Sequence, residues 1–410
     1  MATIRERYVA VAASVALAGS IGIAASANVA AAAPSIAPSV AAASAPSAPS
    51  AKRLTTKKVN YCSTLTKKQR TTLKKQLRVK RLTNKQCSAK ARSLKITAQK
   101  AAAKKPAPTP TPAPAPAPIP AVFGISANGE TALKAAETAI GLKAGVVGVF
   151  ADFKHEFPAQ DAAYAAARGA SLMISWEPWD WEVKSQTQPA YTLDQVAAGT
   201  YDTYIRTFAQ AAAATARPVF IRFAAEMNGD WQVWSTGANS NGPGDYIAAY
   251  RHVVDVSRAA GGTNIKWVFN PIVSYEGSTP LTQLYPGDSY VDWVALDGYN
   301  WGALKWGWQS FTDVFTMGLK EIKAIAPGKP LAIAEIGCTP GTGKAAWVTD
   351  SFAKAQAAGA RMLVWFEHNK ETDWRLSSDA QVAAAAKTAA TQPGWVSGGD
   401  YNKVKAALGL

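Results

Sequence analysis

Two apolar runs of the 410-residue chain lead into carboxylates. The stretch PVFIRFAAEMNGDWQVW, residues 218–234, contains Glu226, and PLAIAEIG, residues 330–337, contains Glu335. Charged side chains are seldom placed in runs that are otherwise suited to burial. Two carboxyl groups in different surroundings can divide acid, base and nucleophilic roles between them. The pair therefore indicates a catalytic site.

Aromatic side chains accompany the carboxylates. All fourteen Trp of the chain follow Ala121. Tryptophan faces stack on the C–H faces of sugar rings, while amides and carboxylates bind hydroxyl groups. Two carboxyl groups beside such a wall are what glycoside hydrolysis requires. The other candidate residues, each near the end of an apolar run, are Trp176, Glu177, Trp179, Asn228, Asp297, Tyr299, Trp301, Trp365, Glu367 and His368.

Short apolar runs alternate with Ala-rich amphipathic segments from Ala121 onward. Segments such as SFAKAQAAG close on glycine, as helices often do. Eight repeats over about 290 residues predict an α/β fold of the (β/α)₈ TIM barrel type, with an open doubly wound sheet as the alternative. In a barrel the active site lies at the carboxyl ends of the strands. The predicted strands are 122–128, 146–153, 171–178, 218–227, 265–272, 291–300, 330–337 and 361–369.

Arg222 lies four residues before Glu226. Alternation along the fourth strand would place Arg222, Ala224 and Glu226 on one face, toward the barrel axis. There Arg222 can hold a nearby carboxylate ionised. A purely structural buried ion pair is the alternative interpretation.

Residues 121–410 resemble glycoside hydrolase family 26, the β-mannanase family. RFAAEMNGDWQVW is similar to the family signature R-x-x-H-E-M-N-G-x-W, and PLAIAEIG resembles the strand that carries the nucleophile. VDWVALDGYNW and VWFEHNKETDWR resemble the sixth and eighth strands, and LDQVAAGTYDTYIRTFAQ the approach to the fourth. The resemblance implies a retaining endo-β-glycanase acting on β-mannan.

The resemblance also implies residue roles. Glu226 would be the general acid/base and Glu335 the nucleophile, with carboxyl groups about 5–5.5 Å apart. Tyr299 would donate a hydrogen bond to the nucleophile, and Arg222 would lie beneath the acid/base. No cofactor is expected, and no set of His, Cys and Asp has metal-ligand spacing.

Four tryptophans are candidate sugar platforms. Trp231 and Trp365 match aromatic platforms of the family around the scissile bond. Trp176 and Trp301 are added from their position at predicted strand ends, with core filling as the alternative for both.

Ala225 departs from the family pattern, because the signature has His before the acid/base. That His helps to recognise the sugar, so a mixed-linkage β-1,3/1,4-glucan or a xylan is an alternative substrate. An inactive carbohydrate-binding protein is a further alternative. His155 or His368 could supply an imidazole from another strand, although a surface or supporting role is the ordinary one.

The charge of the chain is unevenly distributed. Residues 52–105 contain 19 Lys and Arg and no acidic residue, whereas residues 121–410 contain 23 basic and 27 acidic residues, a net charge of −4. We expect 52–105 to be a helical hairpin clipped by a Cys62–Cys87 disulfide, because so small a core needs a covalent staple. Cys338 is expected to be a buried, inert thiol.

The remaining segments read as a secretory signal peptide at 1–33, with an uncleaved anchor as the alternative, a disordered spacer at 34–51 and a proline-rich linker at 106–120. We therefore expect a secreted or cell-wall-associated monomer, without a membrane segment after cleavage. Its partner would be a polysaccharide, and 52–105 could bind an anionic cell-wall polymer. Export argues against nucleic acid, and a solvated basic tail is the simplest alternative.

Overall fold

The structure is a computed structural model that describes residues 62–63, 65–92 and 118–410. The predicted signal peptide, the spacer and most of the proline-rich linker lie outside these residues. The described residues belong to two compact units, a small basic module and a large α/β unit.

The basic module contains two short helices, α1 (Lys67–Leu77) and α2 (84–92). Thr66 caps α1, where its hydroxyl accepts from the Gln69 N–H and the Gln69 side chain accepts from the Thr66 N–H. Such reciprocal bonds satisfy N–H groups that a helix start leaves unpaired.

A Cys62–Cys87 disulfide joins the segment before α1 to the first turn of α2, as the sequence predicts. Leu65, Leu73 and Cys87 form a very small buried cluster. Because this cluster buries little apolar area, the covalent link is the main restraint on the hairpin.

Eight parallel strands form a closed barrel. β1 pairs with β2 on one side and with β8 on the other, so the sheet has no open edge among these strands. This closure confirms the (β/α)₈ barrel and excludes the open sheet. The strands are β1 (Ala121–Ala127), β2 (Val146–Asp152), β3 (Ser171–Glu177), β4 (Val219–Phe223), β5 (Ile265–Phe269), β6 (Trp293–Asn300), β7 (Leu331–Cys338) and β8 (Ala360–Glu367).

Helices connect the strands and cover the outside of the barrel. Several begin at a side-chain cap, such as Ser310 before α8, whose hydroxyl accepts from the Asp313 N–H at 3.1 Å. The helices are α3 (Gly129–Ile140), α4 (Ala159–Ala167), α5 (Leu193–Ala197), α6 (Asp202–Ala214), α7 (Pro243–Ala259), α8 (Phe311–Ile325), α9 (Lys344–Ala357), α10 (Ala380–Ala390) and α11 (Tyr401–Leu408).

The strands are buried on both faces. In β4, Phe220 packs in the cluster inside the barrel, while Ile221 and Phe223 pack in the layer between strands and helices. This alternation puts Arg222 in the interior on the same side as Phe220, closer to the carboxyl end of the strand. The barrel thus places selected polar side chains at one end of an apolar interior.

Two features differ from the predicted elements. β4 ends at Phe223, whereas the predicted strand continued to residue 227. A short strand, β9 (Trp395–Val396), pairs with the start of β1 and was not predicted, because two residues give no periodic signal. No helix within 62–63, 65–92 and 118–410 has the length and apolar character needed to cross a bilayer.

Candidate active site

A cleft of about 1210 Å³ lies at the carboxyl ends of the strands. It gathers side chains that are more than a hundred residues apart in the sequence, because every strand ends at this rim. The sequence-predicted residues that line it are His155, Glu177, Trp179, Arg222, Glu226, Trp231, Tyr299, Trp301, Glu335 and His368.

Arg222, on β4, bonds four side chains beneath the cleft. Its side chain is 3% exposed. Nε donates to Ser175 Oγ at 2.7 Å, and Nη1 donates to Asn270 Oδ1 at 3.0 Å and to Asp297 Oδ2 at 2.8 Å. Nη2 donates to Glu335 Oε1. Sequence patterns gave no signal for Ser175 and Asn270, because small polar residues near strand ends are common.

Three carboxyl groups meet above this guanidinium. Glu226, Asp297 and Glu335 each place an oxygen within 4.8 Å of the other two. Tyr299 donates its hydroxyl to Glu335 Oε2, so both oxygens of Glu335 have donors and its carboxylate form is favoured. The three groups could offer oxygens to a cation, but the Arg222 guanidinium already places positive charge among them.

Glu226 is held in place by its backbone. Ala224 and Glu226 have φ angles of 47° and 59°, in the left-handed region that costs about 1 kcal/mol or more for a non-glycine residue. The Ala224 N–H donates to Trp176 O at 3.0 Å, and the Glu226 N–H donates to Asn270 O at 2.8 Å. Strand alternation therefore stops at Phe223, and a turn brings Glu226 to the cleft, which corrects the alternation argument.

Residues 169–380 match the sequence model of glycosyl hydrolase family 26. The chain belongs to this family. The match spans the turn that carries Glu226 and the strand that carries Glu335, and it confirms the resemblance drawn from the sequence.

Similar characterised proteins differ in their activities. The chain is 38% identical to Endoglucanase H of Acetivibrio thermocellus over 273 residues, which is 63% of this chain and 29% of that protein. It is 30% identical to mannan endo-1,4-beta-mannosidase A and B of Caldalkalibacillus mannanilyticus over 38% of this chain and 30% of that protein. A beta-1,3-xylanase of an Alcaligenes species is 34% identical over 25% of this chain and 21% of that protein. The chain thus spans at most about three tenths of these relatives.

Solved structures share the fold at lower identity. The modular endo-beta-1,4-mannanase of Cellulomonas fimi superposes with a TM-score of 0.53 at 22% identity, covering 70% of this chain and 74% of that one. The catalytic domain of the Bacillus sp. JAMB-750 endo-beta-1,4-mannanase gives 0.55 at 18%, covering 70% and 89%. What these structures share with the chain is the fold of the barrel.

The acid/base candidate of this family 26 barrel is a weak acid. Burial and the negative charge of Asp297 raise the pKa of Glu226 to about 7, although the hydrogen bond from the Trp231 indole N–H lowers it. Burial likewise raises the pKa of Glu177 to about 7, although a hydrogen bond from the Trp179 indole N–H lowers it. At mildly acidic pH Glu226 therefore carries a proton that it can donate.

Aromatic rings form part of the cleft wall. Trp231 donates Nε1–H to Glu226 Oε2 at 2.8 Å and stacks on Tyr275, with ring centroids 6.1 Å apart and planes inclined by 25°. Trp301 lines the cleft near Tyr299, at a centroid distance of 6.2 Å. Tyr275 was not predicted, because it lies in a loop after β5, away from any predicted strand end.

Two predicted platforms lie elsewhere. Trp176 is fully buried and stacks on Phe208 at 4.1 Å, between the barrel and its helices. Trp365 is also fully buried, packs against Trp347 and donates to Trp374 O. Both project from the outer face of their strands, so their assignment as sugar platforms is corrected. On β8 the neighbouring inward residue, Phe366, lines the cleft instead.

Two histidines lie in the cleft wall. His155 donates Nδ1–H to the buried Asp152 carboxylate at 2.5 Å. His368 contacts Ser126 Oγ at 3.1 Å and stacks on Phe366, and burial lowers its pKa to about 3. His368 is therefore a neutral polar group at ordinary pH.

We expect Trp231→Phe to move the alkaline limb of the kcat/KM pH profile upward. Activity falls as pH rises through the pKa of the group that must donate a proton. The indole N–H favours the ionised form of Glu226, so its removal should raise that pKa and keep the proton to higher pH. Initial rates on a soluble glycan between about pH 4 and 9 would measure the shift.

Trp179→Phe is the matched control, because Trp179 bonds Glu177 at 2.9 Å as Trp231 bonds Glu226. This control should leave the alkaline limb in place. A shift in the control and none in Trp231→Phe would assign the proton donor to Glu177.

Proposed function

We propose that the barrel is a retaining endo-β-glycanase whose substrate is a β-linked glucan. The observation that carries the proposal is the pair of Glu226 and Glu335, whose nearest oxygens lie within 4.8 Å in an aromatic-walled cleft. Retaining enzymes separate the two groups by about 5–5.5 Å, whereas inverting enzymes need about 6.5–9.5 Å to admit a water.

In the first step Glu335 attacks the anomeric carbon as a carboxylate. Glu226 donates its proton to the glycosidic oxygen as the bond from that oxygen to the anomeric carbon breaks. The leaving sugar departs with a new hydroxyl group, and the remaining sugar is esterified to Glu335. Arg222 and Tyr299 fix the orientation of the attacking carboxylate.

In the second step Glu226 acts as a base. Its carboxylate takes a proton from water, and the water oxygen attacks the anomeric carbon and displaces Glu335. The product keeps the β configuration and Glu226 regains its proton. A pKa of about 7 suits a group that must give and take a proton in turn.

Two facts favour a glucan. The relative named an endoglucanase is 38% identical over 273 residues, whereas the mannosidase relative is 30% identical over 175 residues. Ala225 lines the cleft beside Glu226, where the family signature has a histidine that helps to recognise the sugar. β-Mannan is the second candidate and is supported by the mannosidase relatives.

A substrate panel tests the proposal. Purified protein would be incubated with mixed-linkage β-1,3/1,4-glucan, β-1,4-mannan and β-1,3-xylan, and the products sized and their anomers followed by NMR. We expect glucan to be cut fastest, into oligosaccharides whose first-formed anomer is β. Release of the α anomer first would contradict the retaining mechanism, and binding without any cleavage would identify an inactive binding protein.

We also propose that the protein is exported. The pattern of residues 1–33 supports a signal peptide, and the Cys62–Cys87 disulfide suits an oxidising compartment. Residues 65–92 carry eleven Lys and Arg and no acidic residue, which supports an anionic cell-wall polymer as the partner of the basic module.

Binding through the basic module should depend steeply on salt. We expect retention on purified anionic cell walls to fall at least about tenfold between about 0.05 and 0.5 M NaCl, because exposed charge pairs are screened. Replacing Lys67, Lys68, Lys74 and Lys75 with Gln should abolish most low-salt retention. Thr71→Gln with Thr72→Gln, on the same helix, is the control. Equal retention of both variants would indicate a solvated basic tail.

A further inference from the structure

A hairpin of residues 301–309, WGALKWGWQ, borders the cleft between β6 and α8. Leu304 is 56% exposed and Trp306 is 71% exposed. The two-step reaction above uses neither side chain. Exposed apolar side chains that lie together at the rim of a cleft mark a candidate ligand-binding surface.

The hairpin is firmly anchored at its base. Asn300 Oδ1 accepts from the Gly302 N–H and from the Gln309 N–H, each at 3.1 Å. Gly302 and Gly307 form an antiparallel bridge. These bonds hold both ends of the hairpin on β6, so its tip has a defined position.

A second anchor comes from Trp308. Its ring lies over the backbone of the loop after β7, where a Cβ on Gly343 would be 2.8 Å from the ring. Only a residue without a side chain permits this approach. The packing fixes the hairpin against the loop that follows the strand of Glu335.

The tip has a costly conformation. Trp306 has a φ angle of 44°, in the left-handed region that non-glycine residues avoid. Neither this backbone nor the exposed ring contributes to the core. An outward-facing tryptophan on a rigid support is, in contrast, a preorganised surface for a ligand.

The hairpin combines aromatic faces with a cation. Trp301 and Trp306 have ring centroids 6.5 Å apart and planes inclined by 88°. Lys305 Nζ lies 3.9 Å from the Trp301 centroid and 5.5 Å from that of Trp306. All three line the cleft, so the surface continues from the carboxylates outward. Apolar faces beside a hydrogen-bond donor match a pyranose ring and its hydroxyl groups.

We propose that Trp306 and Lys305 form an outlying subsite for the part of the glycan chain that extends beyond the cleavage point. Trp306 stacks on a pyranose ring, and Lys305 donates hydrogen bonds to the hydroxyl groups of that sugar. The proposal rests on the proposed function for the identity of the glycan, and the two side chains line the same cleft as the carboxylates.

Affinity electrophoresis in gels that contain mixed-linkage β-glucan or β-mannan tests the subsite without hydrolysis, in a Glu335→Ala background. We expect Trp306→Ala to weaken binding of the polymer about fivefold, as the loss of one aromatic contact should. Trp306→Tyr should retain most of the affinity. Met317→Ala, at a 59% exposed apolar residue on α8 outside the cleft lining, should bind like the parent.

Kinetics separate this subsite from the reaction itself. With Glu335 intact, Trp306→Ala should raise KM for the polymer and leave kcat on a short aryl glycoside unchanged. Unchanged polymer affinity in Trp306→Ala would overturn the subsite even if the protein cleaves glucan. The subsite would also be overturned if Trp306→Ala changed only the self-association of the protein, measured by sedimentation. If the wild type releases no sugar from any glycan yet binding still depends on Trp306, the proposed reaction fails and the subsite stands.

Discussion

Replacement of Glu335 by Ala should lower kcat/KM on β-glucan by at least about 10⁴-fold, because in the proposed reaction the covalent intermediate forms on the Glu335 carboxylate. Glu226→Ala should be nearly as damaging on the polymer, whose leaving sugar needs a proton. On a dinitrophenyl glycoside, which leaves without a proton, Glu226→Ala should still form the intermediate and show a burst of released phenol. Stopped-flow absorbance would measure this burst.

Glu177→Gln supplies the control, since Glu177 shares with Glu226 a place in the cleft lining and a pKa of about 7. Glu177→Gln should change kcat/KM by the same factor on the polymer and on the activated glycoside. If instead Glu177→Gln lowered activity on the polymer but not on the activated glycoside, Glu177 would be the proton donor. Full activity of Glu335→Ala would remove the nucleophile from the mechanism.

Arg222→Leu should lower the free energy of unfolding by about 3–5 kcal/mol, because it leaves buried carboxylates without their cation. Asp297 and Glu335 both depend on this guanidinium, with side chains that are 0% and 8% exposed. Activity should fall by at least about 100-fold, since the nucleophile loses a donor that orients it. Urea denaturation and initial rates at equal folded fraction would measure the two effects.

Arg168→Leu provides the comparison for Arg222. Arg168 pairs with the buried Glu137 in the helical layer, away from the cleft. Its removal should destabilise the barrel and leave kcat/KM of the folded protein unchanged. If Arg222→Leu does not fold, Arg222→Lys keeps the charge but cannot bond four partners, so its activity should still fall. Normal activity in both Arg222 variants would show that Arg222 serves only as the cation of a structural ion pair.

The sequence predicted most of the barrel because each strand is an apolar run between turn residues. It could not tell which face of a strand carries a tryptophan, since barrel strands are apolar on both sides. Trp176 and Trp365 were misassigned for this reason. The turn at Glu226 was also missed, because its left-handed backbone is held by Trp176 O and Asn270 O, which only the folded barrel brings near.

The carboxylates themselves were easier to predict than their surroundings. Glu226 and Glu335 stand out as charges in apolar runs, and the shared rim of a barrel brings them together. Ser175 and Asn270, which share Arg222 with Glu335, have no such signal. Local pattern thus finds the carboxylates that meet in the cleft, while the hydrogen-bond network around them depends on contacts between distant strands.

Cys338 gives the barrel an internal reporter of its motions. The thiol is fully buried at the end of β7, three residues beyond Glu335, and burial raises its pKa to about 12. The other two cysteines of the chain are joined to each other. A thiol reagent can therefore label the native protein only when β7 opens, and the labelling rate measures the local unfolding of the strand that holds Glu335. A glycan that binds in the cleft and stabilises β7 would slow this labelling. The labelling rate would therefore report binding of the glycan without catalysis.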